Sequence, residues 1–373
     1  MENLYIIIAA FLCAVFLGRV IIPNILIISL RKRLFDEPNE RKVHKRPIPR
    51  LGGVTFFPVI LFCVCVFTGI RLLIGTFSDG VGMERIACEM LFLMGGLTLL
   101  YIVGIADDLV GVRYRKKFLV QILAAMMFPV SGLYVNSFYD LFGIYQISPM
   151  VGIPLTILLV VFITNSINLI DGIDGLASGL SMVALIVFGV LFIHYQYWLH
   201  SLLAFATVGV IIPFFVYNVF GNADRGRKIF MGDTGSLTLG FLLSFLVIKY
   251  SMYDPSLRVS PMSSPVLVSF SVLMVPCLDV VRVVMRRARN HKPLFLPDKS
   301  HIHHKFLAMG FSPRSALVTI QFVSACFCAF TMIAIHYMNN TWVFVIDVVA
   351  WTLMHLWFDW IIAKKKKGQG NKQ

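Results

Sequence analysis

A polar stretch at residues 165–175 carries side chains that are well suited to chemistry. It reads Asn-Ser-Ile-Asn-Leu-Ile-Asp-Gly-Ile-Asp-Gly and follows directly on an apolar run at 151–164. Two amides and two carboxylates fall at steps of three: Asn165, Asn168, Asp171 and Asp174. In a regular helix a step of three advances about 300°, so these side chains would not hold one line. The glycines that follow both aspartates indicate that the helix ends here and a turn folds the carboxylates back over its end.

Polar groups at the end of a membrane helix are costly unless they are paired or functional, so this stretch predicts a site. A purely structural polar turn is the alternative. Asp107 and Asp108 end another apolar run. Because adjacent carboxylates repel each other, this pair suits a divalent cation or a dense basic cluster. In the alternative interpretation, Arg113, Arg115 and Lys116 simply neutralise a pair at a helix end.

A third carboxylate segment, Met-Gly-Asp-Thr-Gly-Ser at 231–236, directly precedes an apolar run. Its Asp233 could be an N-cap for the helix that follows. It could equally hold Mg²⁺ on a hard carboxylate oxygen while the exposed backbone amides nearby face a phosphate. Beside the other polar segments, we favour the metal.

Two basic segments provide candidate partners for phosphate. The first, at 41–53, reads Arg-Lys-Val-His-Lys-Arg-Pro-Ile-Pro-Arg-Leu-Gly-Gly. Its prolines and glycines prescribe a specific backbone and not a loose tether. We therefore favour phosphate binding through Lys45 and Arg50 over an anchor to anionic lipid.

The second basic segment runs from Asp279 to 305. Arg282 stands three residues after Asp279, which also suits an ion pair within a span. His301, His303 and His304 could suggest zinc, but no fourth ligand is near and the neighbours are Lys and Arg. A clamp on phosphate groups is the better interpretation.

The elements that must position these residues are membrane helices. Apolar residues make up 58% of the 373 residues and charged residues only 14%, whereas soluble domains contain about 25% charged residues. The chain is therefore predicted to be an all-α, polytopic integral membrane protein. We place about eleven spans of ~20 residues each, near 4–30, 51–73, 87–105, 118–135, 150–167, 177–195, 202–220, 235–252, 265–285, 315–337 and 342–362.

The basic residues predict the orientation. Most of the 33 Lys and Arg residues fall in alternate loops and in the last residues of the chain. The positive-inside rule then places the N-terminus outside and the C-terminus in the cytoplasm, with all five polar segments on the cytoplasmic face. We expect one membrane domain at 1–363 and a basic cytoplasmic tail at 364–373. The net charge of +14 has no soluble domain to carry it, which favours membrane lipids and phosphorylated substrates as partners over nucleic acid.

Taken together, the five segments resemble the polyprenyl-phosphate N-acetylhexosamine-1-phosphate transferases, whose superfamily includes the phospho-MurNAc-pentapeptide translocase. The resemblance covers 35 to about 310. It rests on five motifs in order: Arg-Lys-Val-His-Lys-x-Pro-Ile-Pro-Arg-Leu-Gly-Gly, Asp-Asp, Asn-x-x-Asn-x-x-Asp-Gly-x-Asp-Gly, Met-Gly-Asp-Thr-Gly-Ser and His-x-His-His. The first and last are more similar to the bacterial undecaprenyl-phosphate GlcNAc-1-phosphate transferase branch. Where the family usually has a short Asn-x-x-Pro-Ala link, this chain has a longer charged stretch at 218–228.

The resemblance implies transfer of a sugar-1-phosphate, GlcNAc-1-phosphate above all, from a UDP-sugar to undecaprenyl phosphate. The products would be undecaprenyl-diphosphate-sugar and UMP, in the first membrane step of a cell-surface glycan pathway. The resemblance also implies the bacterial cytoplasmic (inner) membrane as location and Mg²⁺ as cofactor, with Mn²⁺ as a substitute. A homodimer through an apolar face is a further expectation.

Under the resemblance, Asp233 would bind Mg²⁺, with Asn168 or Asp171 as further ligands. The expected catalytic residues are Asp107, Asp108, Asp171, His301, His303 and His304. The expected substrate-binding residues are Lys45, Arg50, Asn165, Asp174, Asn218, Asn222 and Arg282. Either aspartate of the adjacent pair would position or deprotonate the lipid phosphate, and Asp174 would lie on the uridine side.

A membrane transporter is the alternative function, since transporters also use broken helices with carboxylates and glycines. Transporters place such residues near the bilayer midplane, whereas here all five segments fall at predicted inner helix ends. An intramembrane aspartyl protease, suggested by Gly232-Asp233, would need a facing aspartate and no Mg²⁺.

Overall fold

The computed structural model describes residues 2–36, 47–76, 82–253, 264–291 and 300–370, so Lys45 of the predicted site lies outside the described residues. Within them the chain forms thirteen α-helices and two small antiparallel hairpins, which confirms the all-α class. The helices are α1 (Glu2–Arg31), α2 (Phe56–Ile74), α3 (Met83–Val110), α4 (Tyr114–Val130), α5 (Pro149–Ile170), α6 (Leu176–His194), α7 (Trp198–Phe215), α8 (Gly232–Ser251), α9 (Pro265–Val272), α10 (Met274–Arg289), α11 (Ile302–Met309), α12 (Pro313–Ala334) and α13 (Asn340–Gly370). The hairpins pair β1 (Phe35–Asp36) with β2 (Ile48–Pro49) and β3 (Ser137–Leu141) with β4 (Ile144–Gln146).

The helices have the length and composition of membrane spans, as predicted. Within the described ranges, nine are long and apolar enough to cross a membrane, and α9 with α10, which meet at 73°, make a tenth candidate as one bent span. Each of the eleven predicted spans overlaps one of these helices, the bent pair, or α4, which has 17 residues. The number eleven and the orientation of the termini stay predictions. The predicted basic tail continues α13 as far as Gly370.

Prolines mark where several helices begin. Pro149, Pro265 and Pro313 stand in the first turns of α5, α9 and α12. A missing N–H costs no helical hydrogen bond at that position. The Ser312 hydroxyl also accepts a hydrogen bond from the Ser315 N–H at 3.1 Å, which caps α12. These boundaries are therefore encoded locally.

Helix α8 is the most enclosed of the candidate spans. Of its apolar window 89% is buried, against 28% for α1 and for α13. It packs against α3, α5 and α6. Small residues let membrane helices approach closely, and Gly240 makes such a contact, since a Cβ there would lie 2.7 Å from Thr164 Cα of α5. Because α8 begins at Gly232, these neighbours also fix the position of Asp233.

Replacing Gly240 by Ala should lower the stability of the protein by about 1–3 kcal/mol, the usual cost of overpacking. The added methyl group would meet the backbone of α5, including Thr164 O at 2.9 Å, which cannot move as a side chain could. The measurement is the thermal unfolding midpoint of the purified protein in detergent.

The matched control is Gly69→Ala on α2, where a Cβ would meet nothing within 4 Å. It should leave the midpoint unchanged or raise it slightly, because Ala is the better helix former. Equal midpoints for the two variants would contradict the close approach of α8 and α5.

Candidate active site

A cavity of about 540 Å³ lies at the ends of α5, α8 and α11. Four of the five predicted polar segments contribute to its lining. The predicted site residues that line it are Arg50, Asn168, Asp171, Asp174, Asn218, Asp233, His303 and His304. Lys228 and Ser236 line it as well. Segments far apart in the sequence thus share one polar cavity.

Backbone hydrogen bonds join the first basic segment to the start of α8. The Phe230 N–H donates to Pro49 O at 2.7 Å, and the Gly52 N–H donates to Phe230 O at 2.9 Å. This pairing lays Arg50 beside the aspartates: its guanidinium lies 3.4 Å from a carboxylate oxygen of Asp108 and 3.4 Å from one of Asp233.

Asp108 caps α8 from the neighbouring helix α3. Its side chain is fully buried. The carboxylate accepts hydrogen bonds from the Asp233 N–H at 2.8 Å, the Thr234 N–H at 3.0 Å and the Thr234 hydroxyl at 2.6 Å. The first N–H groups of a helix have no partner inside it, and here another helix supplies one. Asp108 therefore positions Asp233 and does not line the cavity.

Lys117 bridges two of the predicted aspartates. Its ammonium nitrogen lies 2.9 Å from an Asp107 carboxylate oxygen and 2.7 Å from one of Asp233. Burial alone would lower the pKa of Lys117, but the carboxylates of Asp233 and Asp107 outweigh it and raise that pKa above its usual value. Asn168 also donates to the carboxylate of Asp233, and donates to the Ser236 hydroxyl at 2.7 Å. Asp233 is thus held from three sides.

Asp171 is the carboxylate of the cavity that lacks a partner. It follows the last residue of α5, and among the described residues no hydrogen bond or ion pair reaches its side chain. Burial, followed by the charges of Asp174, Asp233 and Asp108, raises the pKa of Asp171 to about 7. A cation or a proton at this position would relieve the repulsion.

The turn after Asp171 is held by residues of the 218–228 stretch. The Lys228 ammonium lies 2.6 Å from the Asp174 carboxylate. The Asn218 amide accepts from the Gly175 N–H at 2.6 Å and donates to Ile229 O at 2.9 Å. Lys228 thus lies beside Asp174, which the resemblance predicts to lie on the uridine side.

The histidine segment divides into a buried part and a part that faces the cavity. Asp279, fully buried, accepts a hydrogen bond from Arg282 at 2.7 Å and contacts His301 Nδ1 at 2.8 Å. Neither Arg282 nor His301 lines the cavity. His303 and His304 line it. Burial, together with the neighbouring histidines, lowers the pKa of His303 to about 3. His303 is therefore neutral at physiological pH, whereas the expected phosphate clamp would use a cation.

The 165–175 stretch and the histidine segment meet at Gly172. A Cβ on this residue would lie 2.1 Å from Nε2 of His303. Only a residue without a side chain allows the imidazole to lie this close to the turn. Gly172 therefore permits the close contact with α11 as well as the turn after α5.

Helix α11, which carries the histidines, rests on α13. The Lys305 ammonium lies 2.7 Å from the Asp359 carboxylate, and the Lys365 ammonium donates to Met309 O at 3.3 Å. Sequence reasoning missed this support and also Lys117. Lys117 belongs to the basic run beside the aspartate pair, but a charge run does not show which member reaches across to another helix.

Two further predicted residues lie apart from the cavity. Asn165 exchanges side-chain hydrogen bonds with Gln121 of α4 at 2.6 and 3.3 Å. Asn222 is exposed and accepts from the Asp224 N–H at 2.8 Å, which closes a local turn. Neither lines the cavity.

The side chains around Asp171 offer oxygen atoms of the kind that bind a hard divalent cation. Asp171, Asp233 and Asn168 offer carboxylate and amide oxygens, the ligands that Mg²⁺ prefers. No group of three or more His, Cys, Asp or Glu in the described ranges is arranged to hold a metal through protein ligands alone. Mg²⁺ usually keeps several waters and binds one or two carboxylates together with substrate phosphates. Two carboxylates and one amide are therefore a suitable partial ligand set for Mg²⁺, which substrate phosphates and water would complete.

Comparisons with known proteins show the family to which the chain is related. A family model described as glycosyl transferase family 4 matches residues 90–251. A probable undecaprenyl-phosphate N-acetylglucosaminyl 1-phosphate transferase of Bacillus subtilis (strain 168) is 32% identical over 327 residues, 87% of this chain and 84% of the relative. An undecaprenyl-phosphate alpha-N-acetylglucosaminyl 1-phosphate transferase of Yersinia pestis is 30% identical over 80% of this chain and 76% of the relative. A decaprenyl-phosphate N-acetylglucosaminephosphotransferase of Mycobacterium tuberculosis is 31% identical over 76% and 71%.

Replacing Asp171 by Asn should stabilise the metal-free protein, and the gain should grow as the pH rises. The pKa of Asp171 lies at about 7 in the folded protein, against an ordinary value of 3.8. Between these values the folded state binds more protons than the unfolded state, so the stability of the parent protein falls as the pH rises and levels off above about pH 7. Asn does not ionise and avoids this loss. The measurement is the unfolding midpoint with a metal chelator between about pH 5 and pH 8.

The control is Asp140→Asn, at an exposed position in β3. This variant should follow the parent protein at every pH. A constant offset between Asp171→Asn and the parent over the whole pH range would contradict the shifted pKa.

Proposed function

The chain belongs to glycosyl transferase family 4, and from that premise we propose that it transfers GlcNAc-1-phosphate from UDP-GlcNAc to undecaprenyl phosphate. The products are undecaprenyl-diphosphate-GlcNAc and UMP. The proposal includes a place in the bacterial cytoplasmic membrane, with the cavity facing the cytoplasm, and a role in the first membrane step of a cell-surface glycan pathway. The names of the relatives support the lipid phosphate and the sugar.

The observation that carries the proposal is the carboxylate of Asp171, which has no partner among the described residues, in a cavity whose other carboxylates, Asp174 and Asp233, are paired with lysines. Arg50, Lys228 and His304 line the same cavity. A purely anionic site would repel a nucleotide sugar, and a purely cationic one would have no use for a carboxylate without a partner. The combination suits a diphosphate that arrives with a divalent cation.

The proposed reaction does not require a strong general base. One oxygen of the lipid phosphate forms a bond to the β-phosphorus of UDP-GlcNAc, the bond from that phosphorus to the bridging oxygen breaks, and UMP leaves with that oxygen. A phosphomonoester has its second pKa near ~6, so the lipid phosphate is mostly dianionic at neutral pH. The barrier is the approach of two anions, which fixed positive charge lowers.

The residues of the cavity have separate roles in binding the two substrates. Arg50 lies beside Asp108 and Asp233, and its guanidinium can bind phosphate oxygens as a fork. His303, neutral, can donate one hydrogen bond to a phosphate oxygen without adding charge, and its Nδ1 has no partner among the described residues. Lys228 and Asp174 would contact the nucleotide.

Asp171 and Asp233, with the amide oxygen of Asn168, would hold Mg²⁺ or Mn²⁺. The bound ion would neutralise and orient the diphosphate of the donor. Asp108 and Lys117 act through Asp233: one caps the helix that carries it, and the other holds its carboxylate in place. We assign them as positioning residues.

The purified protein should release UMP and form lipid-linked GlcNAc in equal amounts from UDP-GlcNAc and undecaprenyl phosphate. Chelation of divalent cations should abolish both products, and added Mg²⁺ or Mn²⁺ should restore them. The measurement is UMP release in parallel with extraction of radiolabelled lipid. Radiolabelled sugar that crosses a proteoliposome membrane without UMP formation would favour the transporter instead.

Asp171→Asn should lower kcat/KM by ~10²-fold or more, because it removes a carboxylate that would hold the divalent cation beside the reacting phosphates. The control is Asn222→Ala, since Asn222 is exposed and lies outside the cavity. The control should keep activity within about twofold of the parent protein. Near-normal turnover of Asp171→Asn at limiting Mg²⁺ would refute the proposed metal site.

A further inference from the structure

A second cavity, of about 760 Å³, lies beside the first. It is a groove between the last turns of α1 and residues 216–227, which we call the α1 groove. Tyr217 and Arg227 line the α1 groove, while their chain neighbours Asn218 and Lys228 line the active-site cavity. Each of these two segments therefore contributes neighbouring residues to both cavities.

One wall of the α1 groove is an apolar face of α1. The face consists of residues at helical steps of three and four: Pro23, Leu26, Ile27 and Leu30. The opposite wall includes Val216 and Phe220, whose side chains are 52% and 62% exposed. Such exposure in the absence of a ligand marks apolar surface that a lipid or another apolar group would cover.

The opening of the α1 groove is positively charged. Arg225 and Arg227 line it, and no acidic residue of the described ranges does. Within the described ranges neither guanidinium makes an ion pair or a side-chain hydrogen bond. α1 ends just beyond Leu30 with the basic run 31–33. An apolar wall with free guanidinium groups at one end suits an amphiphile with a hydrocarbon chain and an anionic head.

We propose that the α1 groove binds one anionic glycerophospholipid, with an acyl chain along α1 and the phosphate at Arg225 and Arg227. Basic pockets between membrane helices take anionic head groups, and the volume lies in the ~300–1,000 Å³ range of ligand pockets. A soluble polyanion would leave the apolar wall uncovered, and a zwitterionic lipid would leave the arginines without net negative charge. The proposal does not depend on the transferase activity.

Thermal unfolding and native mass spectrometry of the full chain in neutral detergent test the proposal. Dioleoyl phosphatidylglycerol should raise the unfolding midpoint saturably and add one lipid per chain. Dioleoyl phosphatidylcholine and inorganic phosphate should do neither. The double variant Arg225→Gln/Arg227→Gln should weaken phosphatidylglycerol binding at least tenfold. Ile27→Trp, which fills the α1 groove and keeps both arginines, should weaken it as well.

The matched control is Lys366→Gln/Lys367→Gln, which removes the same charge from exposed positions of α13. It should bind phosphatidylglycerol within twofold of the parent protein. Equal binding by the arginine variant and the control would overturn the proposal, because the attraction would then be unspecific. Equal shifts of the unfolding midpoint with phosphatidylcholine would also overturn it. A parent protein that is a dimer without lipid, together with an arginine variant that is a monomer, would overturn it as well, because the α1 groove would then be an interface between two copies.

Discussion

The N-terminus of α8, at the edge of the polar cavity, is the constraint on which the rest of the site depends. The first N–H groups of a helix have no partner inside it and need acceptors from elsewhere. Asp108 of α3 meets this need with both carboxylate oxygens. It thereby joins α3 to α8 and fixes Asp233 at the first turn. Asp108, one of the expected catalytic residues, thus makes hydrogen bonds that orient its neighbour at the start of α8.

Once Asp233 is fixed, the balance of charge around it determines what the cavity can bind. Lys117 pairs with both Asp107 and Asp233, Arg50 lies beside Asp233, and Lys228 pairs with Asp174. Asp171 is left with excess negative charge and a raised pKa, facing Arg50 and the histidines across the cavity. Fixed positive and negative charge thus coexist a short distance apart, which is the arrangement that a diphosphate with a divalent cation complements.

The membrane class and the overlap of every predicted span with a helix could be predicted, because hydropathy is a local property that a bilayer imposes on each span separately. The family could also be predicted, from the order of five motifs. The partner of each charged side chain could not. Lys117 and Lys116 are equivalent in the sequence, yet it is Lys117 that bridges two aspartates of other helices. Asn165 matches its neighbours in spacing, yet it turns toward Gln121.

By itself, the sequence determined which residue types are present at the helix ends and on which helices they lie. The tertiary structure decided which of them face the cavity, which support it, and which carry charge. The physical reason is that a pKa or an ion pair depends on burial and on groups from other helices, at distances of a few ångströms. His303 shows this most clearly: as a residue in a basic motif it suggested a cation, and its burial beside two other histidines lowers its pKa to about 3.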